Sequence, residues 1–153
     1  MTQVDQVAIL IPLAVAAGAF ACTVIIRALA VVATVYFIRR ERRLGRVGAG
    51  FLIDLSIVAL TMFFALAAHL IEIAIWAVLF LLCGQFSDFG TAYYHSAVNY
   101  TTLGYGDVTM TPSWRMLAPL EAANGMLMFG VSTAIIFAVM QRLIQARFAD
   151  LRD

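Results

Sequence analysis

The chain has 153 residues, of which 63% are hydrophobic and only 12% are charged. Soluble domains usually contain roughly 45–50% apolar and about 25% charged residues, and so short a chain cannot bury this much apolar area. The formal net charge of +1 provides no strong field for nucleic acid or acidic substrates. The composition therefore predicts an integral membrane protein whose apolar surface is covered by lipid.

Three apolar segments lie along the chain, at residues 7–38, 48–82 and 114–140. Each is longer than the roughly 20 residues that cross the hydrocarbon core of a bilayer. The first is too long for a secretory signal peptide, and Asp5 stands where such a peptide carries basic residues. The sequence therefore predicts an all-α, multi-pass membrane protein with three transmembrane helices.

Arginine is unequally distributed between the ends of these segments. Five arginines lie in residues 39–47 and three follow the third segment, whereas residues 84–113 contain none. By the positive-inside rule, residues 39–47 and the C-terminus are expected in the cytoplasm, and the N-terminus and residues 84–113 outside. Recognition of lipid headgroups is the weaker interpretation of the cluster.

The connection between the second and third segments is unusually apolar. Residues 89–100 are mostly apolar and aromatic, yet the connection is too short to cross the bilayer twice. Ser87 is the predicted N-cap of a helix that has Asp88 in its first turn. We therefore predict a half-helix that enters the membrane and returns, buried in protein or facing a water-filled cavity.

The segment after this half-helix, residues 101–107, reads TTLGYGD. Backbone carbonyl oxygens can replace the hydration shell of a cation without adding a full charge. Carbonyls that point the same way require unusual dihedral angles, which Gly104 and Gly106 adopt without a Cβ penalty. The Thr102 hydroxyl can supply a further oxygen, and Tyr105 is expected to point away and brace the strand. The pattern predicts an ion filter.

Residues 102–107 resemble the potassium-channel signature TVGYGD, with Leu103 in place of valine. The order of span, half-helix, filter and span is that of the potassium-channel pore domain, and residues 125–134 resemble the inner helix of small bacterial potassium channels. The resemblance covers residues 55–141. It implies a potassium-selective channel that binds K⁺ ions and no organic cofactor. The implied K⁺ site consists of Thr102, Leu103, Gly104, Tyr105 and Gly106.

The resemblance also implies a homotetramer, because each chain contributes one pore loop and the family surrounds the ion with four. The expected location is the inner membrane of a bacterium, with membrane lipid as a partner and neither nucleic acid nor a soluble protein. The predicted domains are an N-terminal helix and cytoplasmic loop (1–47) and a pore domain (48–153), the latter with outer helix 48–83, pore helix 87–100, filter 101–107 and inner helix 113–142.

Several residues are expected to support the filter. Asp107 is expected to accept a hydrogen bond from Tyr94 or His95, because aromatic residues at these positions surround the filter in the family. Thr101, directly before the filter, belongs to the same set. Where several family members carry an acidic residue behind the filter, this chain has Val98.

Glu121 is the acid that we expect to replace the missing one. It is predicted about two turns into the third span, facing away from the cavity, where an unpaired carboxylate costs at least a few kcal/mol. It is therefore expected to be paired, hydrogen-bonded or protonated; simple packing of a neutral acid is the alternative. Its candidate partners are His69, Glu72, Asn99, Tyr100 and Thr101.

The resemblance implies that a stripe of residues on the third span lines the cavity and inner vestibule. Simple apolar packing against other helices is the alternative. Phe137 is large enough to form a hydrophobic constriction, and Gly125 and Gly130 either bend this helix or permit close packing. The full stripe is Met126, Phe129, Thr133 and Phe137.

Three other functions remain open at this stage. The chain could be a weakly selective cation channel, or a non-conducting partner subunit of another channel. An intramembrane enzyme is the third, since His69 and Glu72 lie three residues apart on one helix face; however, no third metal ligand accompanies them in a metalloprotease pattern. The first span carries Arg27 as its single internal charge, which excludes a voltage sensor within it. We therefore expect a channel and not an enzyme.

Overall fold

The computed structural model describes the chain from residue 3 to residue 149, with side chains from residue 10 to residue 147. Within these limits the chain forms helices and contains no strand. Three of the helices are long and apolar enough to cross a membrane, which confirms the predicted all-α class with three spans. The helices are α1 (Gln3–Arg43), α2 (Phe51–Leu82), α3 (Phe89–Tyr100) and α4 (Leu117–Ala149).

Helix α1 continues through most of the arginine cluster that we predicted to be a loop. Its last turn contains Arg40, Arg42 and Arg43. Arginine and glutamate favour helices, and cations near a helix C-terminus interact favourably with the helix dipole. The connection to α2 is correspondingly short.

Helix α3 begins at Phe89, two residues after the predicted start at residue 87. Its N-cap is Asp88 and not Ser87, because the Asp88 carboxylate accepts the backbone N–H of Thr91 at 2.8 Å. This hydrogen bond lowers the pKa of Asp88. The end of α3 at Tyr100 agrees with the prediction.

Helix α4 begins at Leu117, four residues after the predicted start at residue 113. A separate turn precedes it, in which the N–H groups of Trp114 and Arg115 both donate to the Thr111 carbonyl at 3.0 Å. Because proline lacks an N–H group, it is best placed in the first turn of a helix. The start at Leu117 places Pro119 in the first turn of α4. The helix also extends past the predicted end at residue 142, to Ala149.

The chain packs as two compact units, each with parts of α1, α2 and α4. The filter unit comprises the chain up to Ile26 and His69–Phe129, and the arginine unit comprises Arg27–Ala68 and the chain from Gly130 onward. Buried apolar side chains form a core in each. The filter-unit core is Ala16, Ala19, Ile73, Trp76, Phe80, Tyr100, Leu117 and Met128; the arginine-unit core is Ile57, Val139 and Leu143.

Candidate ion filter and its supports

The predicted filter segment is tied to the last turn of α3. The N–H groups of Leu103 and Gly104 both donate to the Val98 carbonyl, at 3.0 and 3.1 Å, and the Thr102 N–H donates to the Asn99 carbonyl at 2.8 Å. These hydrogen bonds hold the start of the filter against the helix. The residue that carries an acid in other family members therefore contributes its backbone carbonyl here.

Alternate residues of the filter segment have left-handed backbone conformations. Gly104 has φ 62° and Gly106 has φ 73°, which confirms the unusual dihedral angles predicted for the two glycines. Thr102 also has a positive φ, of 61°. We did not predict this, because a β-branched residue rarely adopts that conformation. A Cβ at Gly104 or Gly106 would have no atom within 4 Å, so backbone conformation alone selects glycine there.

The side chains of the filter segment extend outward from the single chain. The exposed fractions of Leu103 and Tyr105 are 56% and 68%. Within one chain, Tyr105 is therefore far from buried. Thr101 is the C-cap of α3, and its hydroxyl donates to the Ala97 carbonyl at 2.7 Å.

The end of the filter segment is attached to α3 by two side chains. The Tyr94 hydroxyl donates to Asp107 Oδ2 at 2.8 Å, and this hydrogen bond raises the pKa of Tyr94. His95 bonds the backbone of the next residue instead, because its Nδ1 lies 2.9 Å from the Val108 carbonyl oxygen. Of the two donors that we predicted for Asp107, Tyr94 is the one in place.

The neighbours of His95 select one form of its ring. The Val108 carbonyl can only accept, so Nδ1 carries the hydrogen and donates; Asn99 Nδ2 then donates to Nε2, at 3.0 Å. Burial lowers the pKa of His95, against the opposing effects of the Val108 carbonyl and Asp107. Both observations indicate a neutral imidazole.

Glu121 is fully buried in the filter unit, and its partner differs from all those that we predicted. Its Oε1 lies 2.5 Å from the hydroxyl oxygen of Ser96 on α3. The same hydroxyl lies 2.8 Å from the Ile73 carbonyl oxygen on α2. The late start of α4 places Glu121 only four residues into the helix, beside the middle of α3 and not beside its end. Glu121 therefore connects α4, α3 and α2 through one serine.

His69 and Glu72 contact each other on α2, and both contact Tyr100. The Tyr100 hydroxyl donates to Glu72 Oε2 and lies 3.1 Å from His69 Nδ1. His69 Nδ1 is also 3.5 Å from Glu72 Oε2, and its ring stacks on Phe129 with 4.2 Å between centroids. This buried cluster supports the residue that closes α3, directly before the filter.

The proposed cavity residues of α4 lie on an exposed stripe of the single chain. Met126 is 60% exposed, Phe129 39% and Phe137 59%, and Thr133 is exposed as well. Phe129 is less exposed than Met126 and Phe137, because one face of its ring stacks on His69.

The two glycines of α4 have different surroundings. A Cβ at Gly125 would lie 2.0 Å from the Tyr100 carbonyl oxygen, so only glycine allows α4 to approach α3 this closely. A Cβ at Gly130 would have no neighbour within 4 Å. Of the two interpretations of Gly125, close packing is the one that its surroundings support.

Two hydrogen bonds between α1 and α4 were not predicted. In the filter unit, the Thr23 hydroxyl donates to Asn124 Oδ1 at 3.2 Å. In the arginine unit, the buried Arg27 donates to the Ser132 hydroxyl at 2.6 Å. The one sequence signal for either pair was Arg27 itself, because a charge inside a span is costly and therefore has a partner or a function.

Comparison with protein families agrees with this arrangement. Residues 68–142 match the model of a family described as ion channel. This family has two-span pores and includes the pore domains of potassium channels. The matched segment contains the end of α2, all of α3, the filter segment and most of α4. Searches of curated proteins and of solved structures gave no match. The chain is an integral membrane protein, and its segment 68–142 matches the two-span ion-channel family.

Proposed function

We propose that this protein is a subunit of a potassium-selective channel that conducts K⁺ passively across the membrane. The observation that carries the proposal is the TLGYGD segment, in which Thr102, Gly104 and Gly106 have positive φ values and the backbone is tied to α3. Alternating conformations of this kind can align successive carbonyls toward one axis. Those carbonyls would replace the hydration oxygens of the ion.

We propose further that four chains form the pore. One filter segment cannot surround an ion, and each chain has one such segment. The exposure of Leu103, Tyr105 and Met126 supports this assembly, because neighbouring chains would cover the first two and a shared cavity would border the third. The C-terminal end of α3 carries a partial negative charge, which would stabilise a cation in that cavity.

The proposed orientation has the N-terminus and the filter outside and the arginine-rich ends in the cytoplasm, in the inner membrane of a bacterium. The distribution of arginine supports this orientation, because arginine is absent from residues 84–113 and abundant in residues 39–47. No enzymatic step is needed for this function. The contributions of the chain are a dehydrating filter, its supports and a path for the ion.

The test is ion flux into liposomes that contain the purified full-length protein. We expect uptake of K⁺ that exceeds uptake of Na⁺ and that external Ba²⁺ blocks. Equal uptake of both ions would favour the weakly selective cation channel. Absence of flux from a protein that does not form a homotetramer by mass would favour the non-conducting partner subunit.

A further inference from the structure

A groove between α1 and α4 lies within the arginine unit. It has a volume of about 190 Å³. On each helix, the lining residues recur at spacings of three and four, so each helix contributes one continuous face. Its apolar walls include Val35, Ile38, Ile135 and Val139, and two arginines, Arg39 and Arg142, lie at the same end.

The length of the groove corresponds to about one leaflet of a bilayer. From Val31 to Arg39 on α1 the helix rises about 12 Å, at 1.5 Å per residue. Half of a hydrocarbon core is about 15 Å thick. With the two arginines at the level of the lipid headgroups, the groove would extend through most of one leaflet into the apolar interior.

The positive charge at the mouth of the groove is not neutralised by the described residues of this unit. Arg39 and Arg142 are exposed, and neither forms an ion pair within the part of the chain from residue 10 to residue 147. The acids among the described residues of the unit have other partners. Glu41 pairs with Arg46 at 3.3 Å, and Asp54 accepts the N–H of Gly48 at 3.0 Å.

We propose that this groove binds an anionic glycerophospholipid, with an acyl chain along the apolar walls and the phosphate between Arg39 and Arg142. Guanidinium groups bind phosphate oxygens through paired hydrogen bonds, and basic pockets between transmembrane helices bind acidic headgroups. The combination of two unneutralised arginines with an apolar groove one leaflet long matches both parts of such a lipid. The site connects α1 to α4, and it does not depend on the ion that the filter conducts.

The test is lipid binding to the purified full-length protein, measured by native mass spectrometry. Phosphatidylglycerol and phosphatidylcholine with identical acyl chains are titrated separately. We expect phosphatidylglycerol to bind roughly tenfold more tightly. The double variant Arg39→Gln/Arg142→Gln should lose this preference. The matched control Arg42→Gln removes the same kind of charge from the same helix outside the groove, and it should retain the preference.

A second variant tests the apolar walls without changing any charge. Ala138 lines the groove and is exposed, so Ala138→Trp fills the groove from its open side. It should weaken binding of phosphatidylglycerol while both arginines remain. Free glycerol phosphate should not compete, because it has no acyl chain.

Four results would overturn the proposal. They are equal binding of the two lipids to the wild-type protein, an equal loss in Arg42→Gln, and competition by glycerol phosphate at the lipid's own concentration. The fourth is a changed number of subunits in Ala138→Trp, which would make the groove an interface between chains.

Discussion

Gly125 of α4 lies so close to Tyr100 of α3 that an added Cβ would be 2.0 Å from the Tyr100 carbonyl oxygen. Real Cβ atoms do not approach a backbone oxygen to this distance, so the two helices require glycine at this crossing. Tyr100 closes α3 directly before the filter segment. The contact therefore fixes α4 against the end of α3, directly before the candidate filter segment, and it gives Gly125 a structural role that a bending point would not have.

Gly125→Ala should destabilise the protein. The added methyl group would meet backbone atoms of Tyr100 and not the end of a flexible side chain, so the backbone of α4 or α3 must move. Overpacking of this kind costs about 1–3 kcal/mol or more. Thermal unfolding in detergent should show a clearly lower midpoint. Gly130→Ala is the matched control on the same helix, because its Cβ has open space and alanine is the better helix former. Equal midpoints for both variants would contradict this role of Gly125.

Gly104→Ala should abolish selective conduction while the protein still inserts into the membrane. Its φ of 62° disfavours any residue with a Cβ, at a cost of about 1–3 kcal/mol in each subunit. No neighbour lies within 4 Å of the added Cβ, so the rest of the fold should tolerate the change. Flux of K⁺ and Na⁺ in liposomes measures the result. A variant that still conducts and selects K⁺ would refute the assignment of the filter.

Tyr100→Phe should weaken the buried cluster behind the filter. The change removes the hydroxyl that donates to Glu72 and contacts His69, but it keeps the ring. Loss of a buried hydrogen bond of this kind costs about 1–3 kcal/mol. A double-mutant cycle with Glu72→Ala, which removes the acceptor of this hydrogen bond, should give a coupling energy in thermal unfolding. If the two changes are additive, the hydrogen bond has no energetic role.

Glu121→Gln should retain normal channel activity, whereas Glu121→Ala should shorten the open times of the filter. A serine hydroxyl has one hydrogen, so when Ser96 donates to the Ile73 carbonyl, the Glu121 contact needs a hydrogen from the carboxyl group. The amide of glutamine can supply that hydrogen, and alanine cannot. Single-channel recording at several pH values distinguishes the variants. Wild-type behaviour of Glu121→Ala would remove Glu121 from the mechanism.

Conduction should decrease when the pH on the filter side falls below about 6.5. Because burial lowers the pKa of His95, the locally opened segment binds a proton more readily than the packed one, so the packed state loses stability as the pH falls through the ordinary histidine value. A proton on Nε2 also removes the acceptor that Asn99 uses. His95→Gln should remove most of this pH dependence. An unchanged pH profile in this variant would show that another group is responsible.

The parts of the site that depend only on residues nearby in the sequence could be predicted. The filter pattern requires unusual dihedral angles at Gly104 and Gly106, and glycine is the residue that adopts them. The half-helix was predicted because the connection is apolar and too short to cross the bilayer twice. The partner of Glu121 could not be predicted, because it depends on where α4 starts and on how α4 lies against α3. The pairing of Arg27 with Ser132 joins residues 105 positions apart and depends on tertiary packing alone.

The most direct test of potassium selectivity is the reversal potential of the reconstituted wild-type protein with K⁺ on one side of a planar bilayer and Na⁺ at equal concentration on the other. We expect a reversal potential far from zero, with the sign that K⁺ permeation requires, and loss of the current in Ba²⁺. A reversal potential near zero with a sustained current would contradict the proposed potassium selectivity, because the filter would then not distinguish the two ions.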